Sequence, residues 1–409
     1  MAASALTDLT PFFDMVDATP SEHIGKFAFC VPNGRAFDRW PDYPNAARIE
    51  SGRAASGRGL NWEDCLRSGL GEAVELASVC EWPDEKFLRA AVQDLGSQAI
   101  PPHCLVGHSL RQLRNRDLWN RSYFAKLDWI PQDLPTNHPI DWIPVTGIDA
   151  RKVRYVPADL VFVGRKTPGD ESAVGLATNS GCGAGDTPEK ARMHALLEII
   201  ERDAIGTWWY GGRRSQQVEP SVLCEVSDIV QFVSENDRTT RFLDISSEVA
   251  IPVVAAISSR TDGTWVALGF SAKLSIAEAA HSAAIEMLQT EIALEQRARN
   301  NDATVAHWIR SANSRYAPLT ETTSAEIASK SESILDLHRC IGEIERNGFE
   351  VYFCDLTRSA FDIPVFRAFV PGFCSDKPRW DCLSHRLGKI QKQNDDNHPQ
   401  ERPNSYLLV

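Results

Sequence analysis

No lysine or arginine precedes Lys26, so the N-terminus lacks the basic start of a secretory signal. Long apolar runs are missing as well. Stretches such as 251–257 fall far short of the roughly 20 residues needed to span a bilayer, so no membrane association is expected and the expected compartment is the cytoplasm. Nor is there a basic excess: 43 Lys and Arg against 55 Asp and Glu leave a net charge of -12, which gives no support to nucleic-acid binding. Ten cysteines occur but no C-x-x-C pair. The nearest two, Cys374 and Cys382, are eight positions apart, with His385 as the other soft ligand nearby. In a chain this long without an export signal, free thiols are expected in preference to disulfides or a structural zinc site. The pattern G-x-x-x-x-G-K-S/T is absent, which excludes a P-loop at the level of motif.

What the 409 residues do hold, with 43% hydrophobic and 24% charged, is enough apolar material for a large core. An internal repeat organises them. Gly57, Gly59, Glu63, Leu70, Glu72 and Glu75 recur without a gap as Gly183, Gly185, Glu189, Leu196, Glu198 and Glu201. A fainter third copy runs over 279–290, with Glu286 in the place of Glu198, Gln289 in that of Glu201 and Ser282 in that of His194. The first two copies read as a glycine loop followed by a helix start, with Thr187 as N-cap and Pro188 as first helical residue. Strand-like runs lie at 154–164, 251–259, 264–272, 349–356 and 363–370. Strands alternating with helices predict an α/β or α+β fold of repeated strand–loop–helix units. Residues 1–50 read as an N-terminal segment, 50–375 as the catalytic unit and 376–409 as a polar tail. The proline-rich stretch 128–144 reads as a long connection, and 300–333 as helical or partly mobile.

The acidic pairs stand at i and i+3, so both side chains of a pair share one helical face. Alone, such a pair marks a solvated face more often than a site. Here Ala73-Val74 and Ile199-Ile200 separate the glutamates, and those apolar neighbours imply buried helices, on which carboxylates need cations or donors beside them. A cluster of Glu72, Glu75, Glu198, Glu201 and Glu286 without His or Cys suits magnesium better than zinc. With Arg58 and Arg202 it would hold a nucleotide triphosphate. The glycines before the helices fit a tight turn more readily than a phosphate cradle, and only their repetition beside the glutamates favours the cradle.

These elements resemble the YcaO family, which carries a signature of the form S-x-x-x-E-x-x-E-R. Ser68, Glu72 and Glu75 match it in the first copy, with Leu76 at the arginine position. His194, Glu198, Glu201 and Arg202 match in the second, with His194 where a serine often stands, and Glu286 and Gln289 are similar to a later E-x-x-Q element. The likeness spans about 50–373 and closes on DLTRSAFDIPVFRAFVPGF, similar to the cyclodehydratase branch. It implies ATP held through Mg2+ by the glutamates, acting as metal ligands and not as general bases, with Ser68, Arg58, His194, Arg202 and Gln289 also at the nucleotide. It also implies chemistry at a backbone amide of a ribosomally made peptide: a Cys, Ser or Thr side chain attacks the preceding carbonyl, the oxyanion takes the γ-phosphoryl group, and an azoline ring forms, as in bacteriocin biosynthesis.

The chain departs from the family at Leu76 and at its end, NHPQERPNSYLLV, which lacks an alternating proline tail. Nothing before residue 50 resembles a leader-peptide-binding domain, so a separate leader-binding partner is expected, with a dehydrogenase subunit as a further candidate. Two other readings stay open: thioamide formation with a helper protein, and a scaffold without catalysis. Cys65 reads as a small core residue. Trp208 and Trp209 read as the hydrophobic side of the second helix. His194 stays open between a phosphate contact and a satisfied core histidine.

Overall fold

The computed structural model describes residues 9, 11–33, 55–121, 128–149, 151–316, 318–320, 336–377 and 407. Three sheets carry its strands. β1 (Phe13–Asp17), β2 (Lys26–Pro32) and β3 (Ala55–Gly59) form the first in that order. The second runs β4 (Leu88–Ala91), β5 (Pro139–Thr146), β12 (Tyr352–Asp355), β13 (Val365–Phe369) and β7 (Cys182–Ala184), with β6 (Val153–Pro157) also paired to β5. The third is ordered β11 (Ala267–Ala272), β10 (Val253–Arg260), β9 (Arg238–Asp244) and β8 (Gln216–Gln217). Pairing between these strands is antiparallel throughout, which makes the fold α+β.

β3, β7 and β11 each lie at an edge of their sheet, and each leads into a long helix: α1 (Trp62–Ser78), α2 (Pro188–Trp209) and α3 (Ile276–Arg299). The helices start alike. Asn61, Thr187 and Ser275 are extended N-caps whose side chains accept from the backbone of Asp64, Lys190 and Glu278 at 3.0, 3.2 and 3.3 Å. Counted from these caps, Glu72, Glu198 and Glu286 all fall eleven residues on, and Glu75, Glu201 and Gln289 fourteen. The threefold repeat is therefore a property of the fold.

Glycine lets strand and helix backbones touch. A Cβ on Gly57 would sit 2.3 Å from the Cys65 carbonyl oxygen, one on Gly183 2.3 Å from the Ala195 nitrogen, and one on Gly269 2.1 Å from the Ala283 carbonyl oxygen. No side chain fits there. These glycines serve packing, with the small residues Cys65, Ala195 and Ala283 buried opposite. Away from these crossings, Leu70 and Val74 of α1 join Val145, Tyr352 and Val365 in one core, while Leu196, Ile200 and Trp208 of α2 join Leu243, Ile257 and Leu268 in another. Each such side chain contributes about 1.5–3 kcal/mol by leaving water.

The strand-like runs at 154–164, 251–259, 264–272, 349–356 and 363–370 hold β6, β10, β11, β12 and β13. Residues 128–144 differ from the expected connection, since β5 begins at Pro139. The N-terminal segment is part of the first sheet, β2 pairing with β3 from Lys26↔Gly59 to Cys30↔Ala55. Trp208 and Trp209 are buried edge to face, 5.6 Å apart. No described helix is long and apolar enough to cross a membrane. Most of the tail at 376–409 and the stretch 321–335 lie outside the described residues.

Candidate active site

An edge strand leaves backbone N–H groups without a sheet partner, and buried donors of this kind must be satisfied. Here the preceding unit's helix satisfies them. Glu75 of α1 accepts from the Ala184 N–H of β7 at 2.7 Å, and Glu201 of α2 accepts from the Ala272 N–H of β11 at 3.1 Å. The third link returns to the first unit: Gln289 of α3 accepts from Arg58 Nη1 of β3 at 3.2 Å. Ala184, Ala272 and Arg58 each stand three residues before the cap of their helix, so the three links stand at equivalent positions and close a ring, the third made by the Arg58 side chain in place of a backbone N–H.

All three helices reach a cavity of about 670 Å³, whose wall includes Ser56, Arg58, Glu72, Arg202, Glu286 and Gln289. Glu72 accepts from the Ser56 N–H and hydroxyl at 3.1 and 3.2 Å. Arg58 Nη2 donates to Glu286 at 2.9 Å. Arg202 is 3.6 Å from Glu198 and 3.5 Å from Glu201, and its Nε is buried without a hydrogen-bond partner among the described residues. Leu76, Arg202 and Thr290 share one position, fifteen residues past their caps, and all three line the cavity. Arg202 is thus the one cation of that trio.

Burial sets the electrostatics. It drives Glu198 up to about 7 in spite of Arg202, and it raises Glu201 and Glu72 as well. Glu75 is held well above the carboxylate range by burial and by the charge of Glu198. Burial opposes charge on the two arginines, yet Glu286 and Glu72 outweigh it at Arg58, and Glu201, Asp376 and Glu198 at Arg202, so both are held above their ordinary value. Glu72, Arg58 and Arg202, shifted together on one cavity wall, make this cavity the candidate functional site.

The structure distributes the sequence-predicted residues unequally. Arg58, Glu72, Arg202, Glu286 and Gln289 face the cavity, whereas Ser68, Glu75, His194, Glu198 and Glu201 are not on its lining. His194 Nδ1 lies 2.7 Å from the Ala184 carbonyl oxygen, so the ring is satisfied by the backbone, but the residue is exposed and is not a core histidine. Cys65 is buried, and burial drives its thiol up to about 11, an inert core position. Residues missed by sequence reasoning are Asp376 and Lys377, assigned to the tail but present on the cavity wall, and Thr290.

Five glutamates do not form a ready-made metal cage. Among the described residues no three His, Cys, Asp or Glu side chains gather closely enough to hold an ion alone, because backbone donors and the two arginines keep the carboxylates apart. Magnesium asks for less, typically one or two carboxylates plus substrate phosphates and water. Glu72 and Glu286 on a wall that also carries two arginines fit a magnesium-bound triphosphate.

The sequence profile for the YcaO cyclodehydratase, ATP- and Mg2+-binding, matches residues 56–374. The chain belongs to the YcaO family, and ATP and Mg2+ are its cofactors. An uncharacterized protein of Methanothermobacter thermautotrophicus is 25% identical over 337 residues, 78% of this chain and 80% of that one. A solved heterocyclase in complex with substrate and cofactor is 26% identical with a TM-score of 0.78, over 90% of this chain and 50% of its own, so this chain spans half the length of that protein. YcaO from Methanopyrus kandleri, bound with AMPPCP and Mg2+, shares the fold at 17% identity and a TM-score of 0.59, over 90% of this chain and 88% of its own.

Proposed function

We propose that the chain is an ATP- and Mg2+-dependent cyclodehydratase that activates backbone amide oxygens of a ribosomally made precursor peptide and converts Cys, Ser or Thr to thiazolines or oxazolines. The observation that carries this reading is the closed ring of three helices, which brings Glu72, Glu286, Arg58 and Arg202 onto one cavity wall. Glu72 and Glu286 would be the metal-holding carboxylates, while Glu75 and Glu201 fix the strands that shape the cavity. Glu198 keeps Arg202 in place. Bound Mg2+ would neutralise the triphosphate and align the in-line transfer.

Arg58 and Arg202 supply fixed positive charge where the γ-phosphoryl group moves, which stabilises the transition state without reorganisation. The peptide's own thiol or hydroxyl attacks the preceding carbonyl carbon, and the oxyanion takes the phosphoryl group. Phosphate then leaves with the former amide oxygen as the amide nitrogen loses its proton and forms the ring C=N bond. A leader-binding partner would bring the precursor, and a dehydrogenase partner could oxidise the ring. The test is to combine the chain with its precursor and partner, follow phosphate release, and weigh the product. Peptide-dependent release with loss of water supports the reading. Exchange of oxygen for sulfur would move the assignment to thioamidation, and nucleotide binding without peptide-dependent release would leave a scaffold.

A further inference from the structure

A second cavity of about 180 Å³ adjoins the first, and the two share a wall made by Ala177, Thr178, Ser180, Arg202, Asp376 and Lys377. The chain at 374–377 reaches this wall because it is pinned to α2: the Cys374 N–H donates to Asp203 at 2.8 Å, and a Cβ on Gly206 would meet the Ser375 carbonyl oxygen at 2.3 Å. Lys377 stands 3.7 Å from Asp376 and is partly exposed. The junction is therefore charged, and the space behind it is apolar, bounded by Leu105, Val106, Trp129, Leu160, Leu176 and Phe369.

Polar side chains break the apolar lining at two places, the His108–Asp128 pair, 3.4 Å apart, and Arg367. Arg367, only 6% exposed, donates from Nη1 to the Val161 carbonyl at 2.6 Å and lies over the Phe369 ring, while its Nε has no hydrogen-bond partner among the described residues. That nitrogen is closed off from the cavity as well, so Arg367 belongs to the frame of the pocket, anchored by the Val161 carbonyl. The cavity is too small for a whole small-molecule ligand, which takes roughly 300–1,000 Å³, and is of the size of one side chain.

We infer that the second cavity receives the apolar side chain of the substrate residue whose carbonyl is activated. This rests on the amide-activating reading above. The terminal phosphate and the amide oxygen must meet where the cations stand, at the wall carrying Arg202 and Lys377, and the residue that owns that oxygen then projects into the space behind it. At about 670 Å³ the first cavity has the size of a nucleotide site without the second, which leaves the second as a specificity pocket for peptide.

The experiment uses the full chain loaded with Mg2+ and AMPPCP and measures binding of N-acetyl-X-Cys-amide probes with X as Gly, Ala, Leu or Phe, by calorimetry or ligand-observed NMR. The Leu probe should bind roughly tenfold or more tighter than the Gly probe. Leu176→Trp fills the cavity and should abolish that preference with AMPPCP affinity unchanged. Leu176→Ala, which enlarges it without strain, should shift the preference from Leu toward Phe. Equal binding of all probes, no binding of any, or a change in AMPPCP affinity in Leu176→Trp would each overturn the inference. Failure of the underlying reading shows separately, as loss of peptide-dependent phosphate release in the complete system; failure of the inference alone leaves that release intact.

Discussion

Replacing Glu198 by Gln tests the electrostatics of the ring without disturbing its shape. Burial drives this carboxyl from an ordinary value of 4.5 up to about 7, against the pull of Arg202. The folded protein therefore binds more protons than the unfolded chain between those values, and stability is lost as pH rises through the folded pKa. The displacement corresponds to roughly 3 kcal/mol, fully present below the unfolded value and gone above the folded one. Gln is neutral at every pH and loses nothing. The nucleotide-free variant should match the wild type near about pH 4 and exceed it by up to about 3 kcal/mol near about pH 8. His194, which desolvation of its ring shifts the opposite way, is common to both proteins and cancels in the difference. Urea unfolding in EDTA across this range measures it. Parallel curves, or a variant weaker than wild type at high pH, would refute the reasoning.

Gly183→Ala should cost about 1–3 kcal/mol or more, read as a lower urea midpoint, because its Cβ would meet the α2 backbone at 2.3 Å; an unchanged midpoint would contradict the packing described. Arg58→Ala removes the donor to Glu286 and Gln289, and should lower Mg2+-nucleotide affinity roughly tenfold, with Arg58→Lys recovering only part because it lacks the fork. Leu76→Arg adds a further cation to the cavity at the position Arg202 holds on α2, and calorimetry should show tighter nucleotide binding; weaker binding would mean that the side chain blocks the cavity.

The repeat was legible because its signals are local. Cap, glycine and glutamate recur at fixed spacing in the first two units, and a helix turns equal spacing into equal direction. The third copy was fainter because Gly269 stands six residues before its cap Ser275, while Gly57 and Gly183 stand four before theirs. Ring closure was not legible, since the partners of Glu75, Glu201 and Gln289 lie 109, 71 and 231 residues away. At the second acidic position the sequence offered a metal ligand and no sign that Glu75 and Glu201 each also accept from an edge strand. Prolines hid β5: Pro139 is its first residue and Pro144 is exposed on it, a placement that removes a donor without ending the strand. Asp376 and Lys377 read as tail because what brings them inward is a crossing at Gly206, which has no sequence pattern of its own.

The central claim is that the amide oxygen itself is phosphorylated. It is tested most directly by a precursor peptide labelled with oxygen-18 at the carbonyl before the reacting residue, incubated with the chain, its partner, ATP and Mg2+. The account predicts that the label leaves in inorganic phosphate in step with ring formation. Label retained in the peptide or released to water, with unlabelled phosphate, would contradict it.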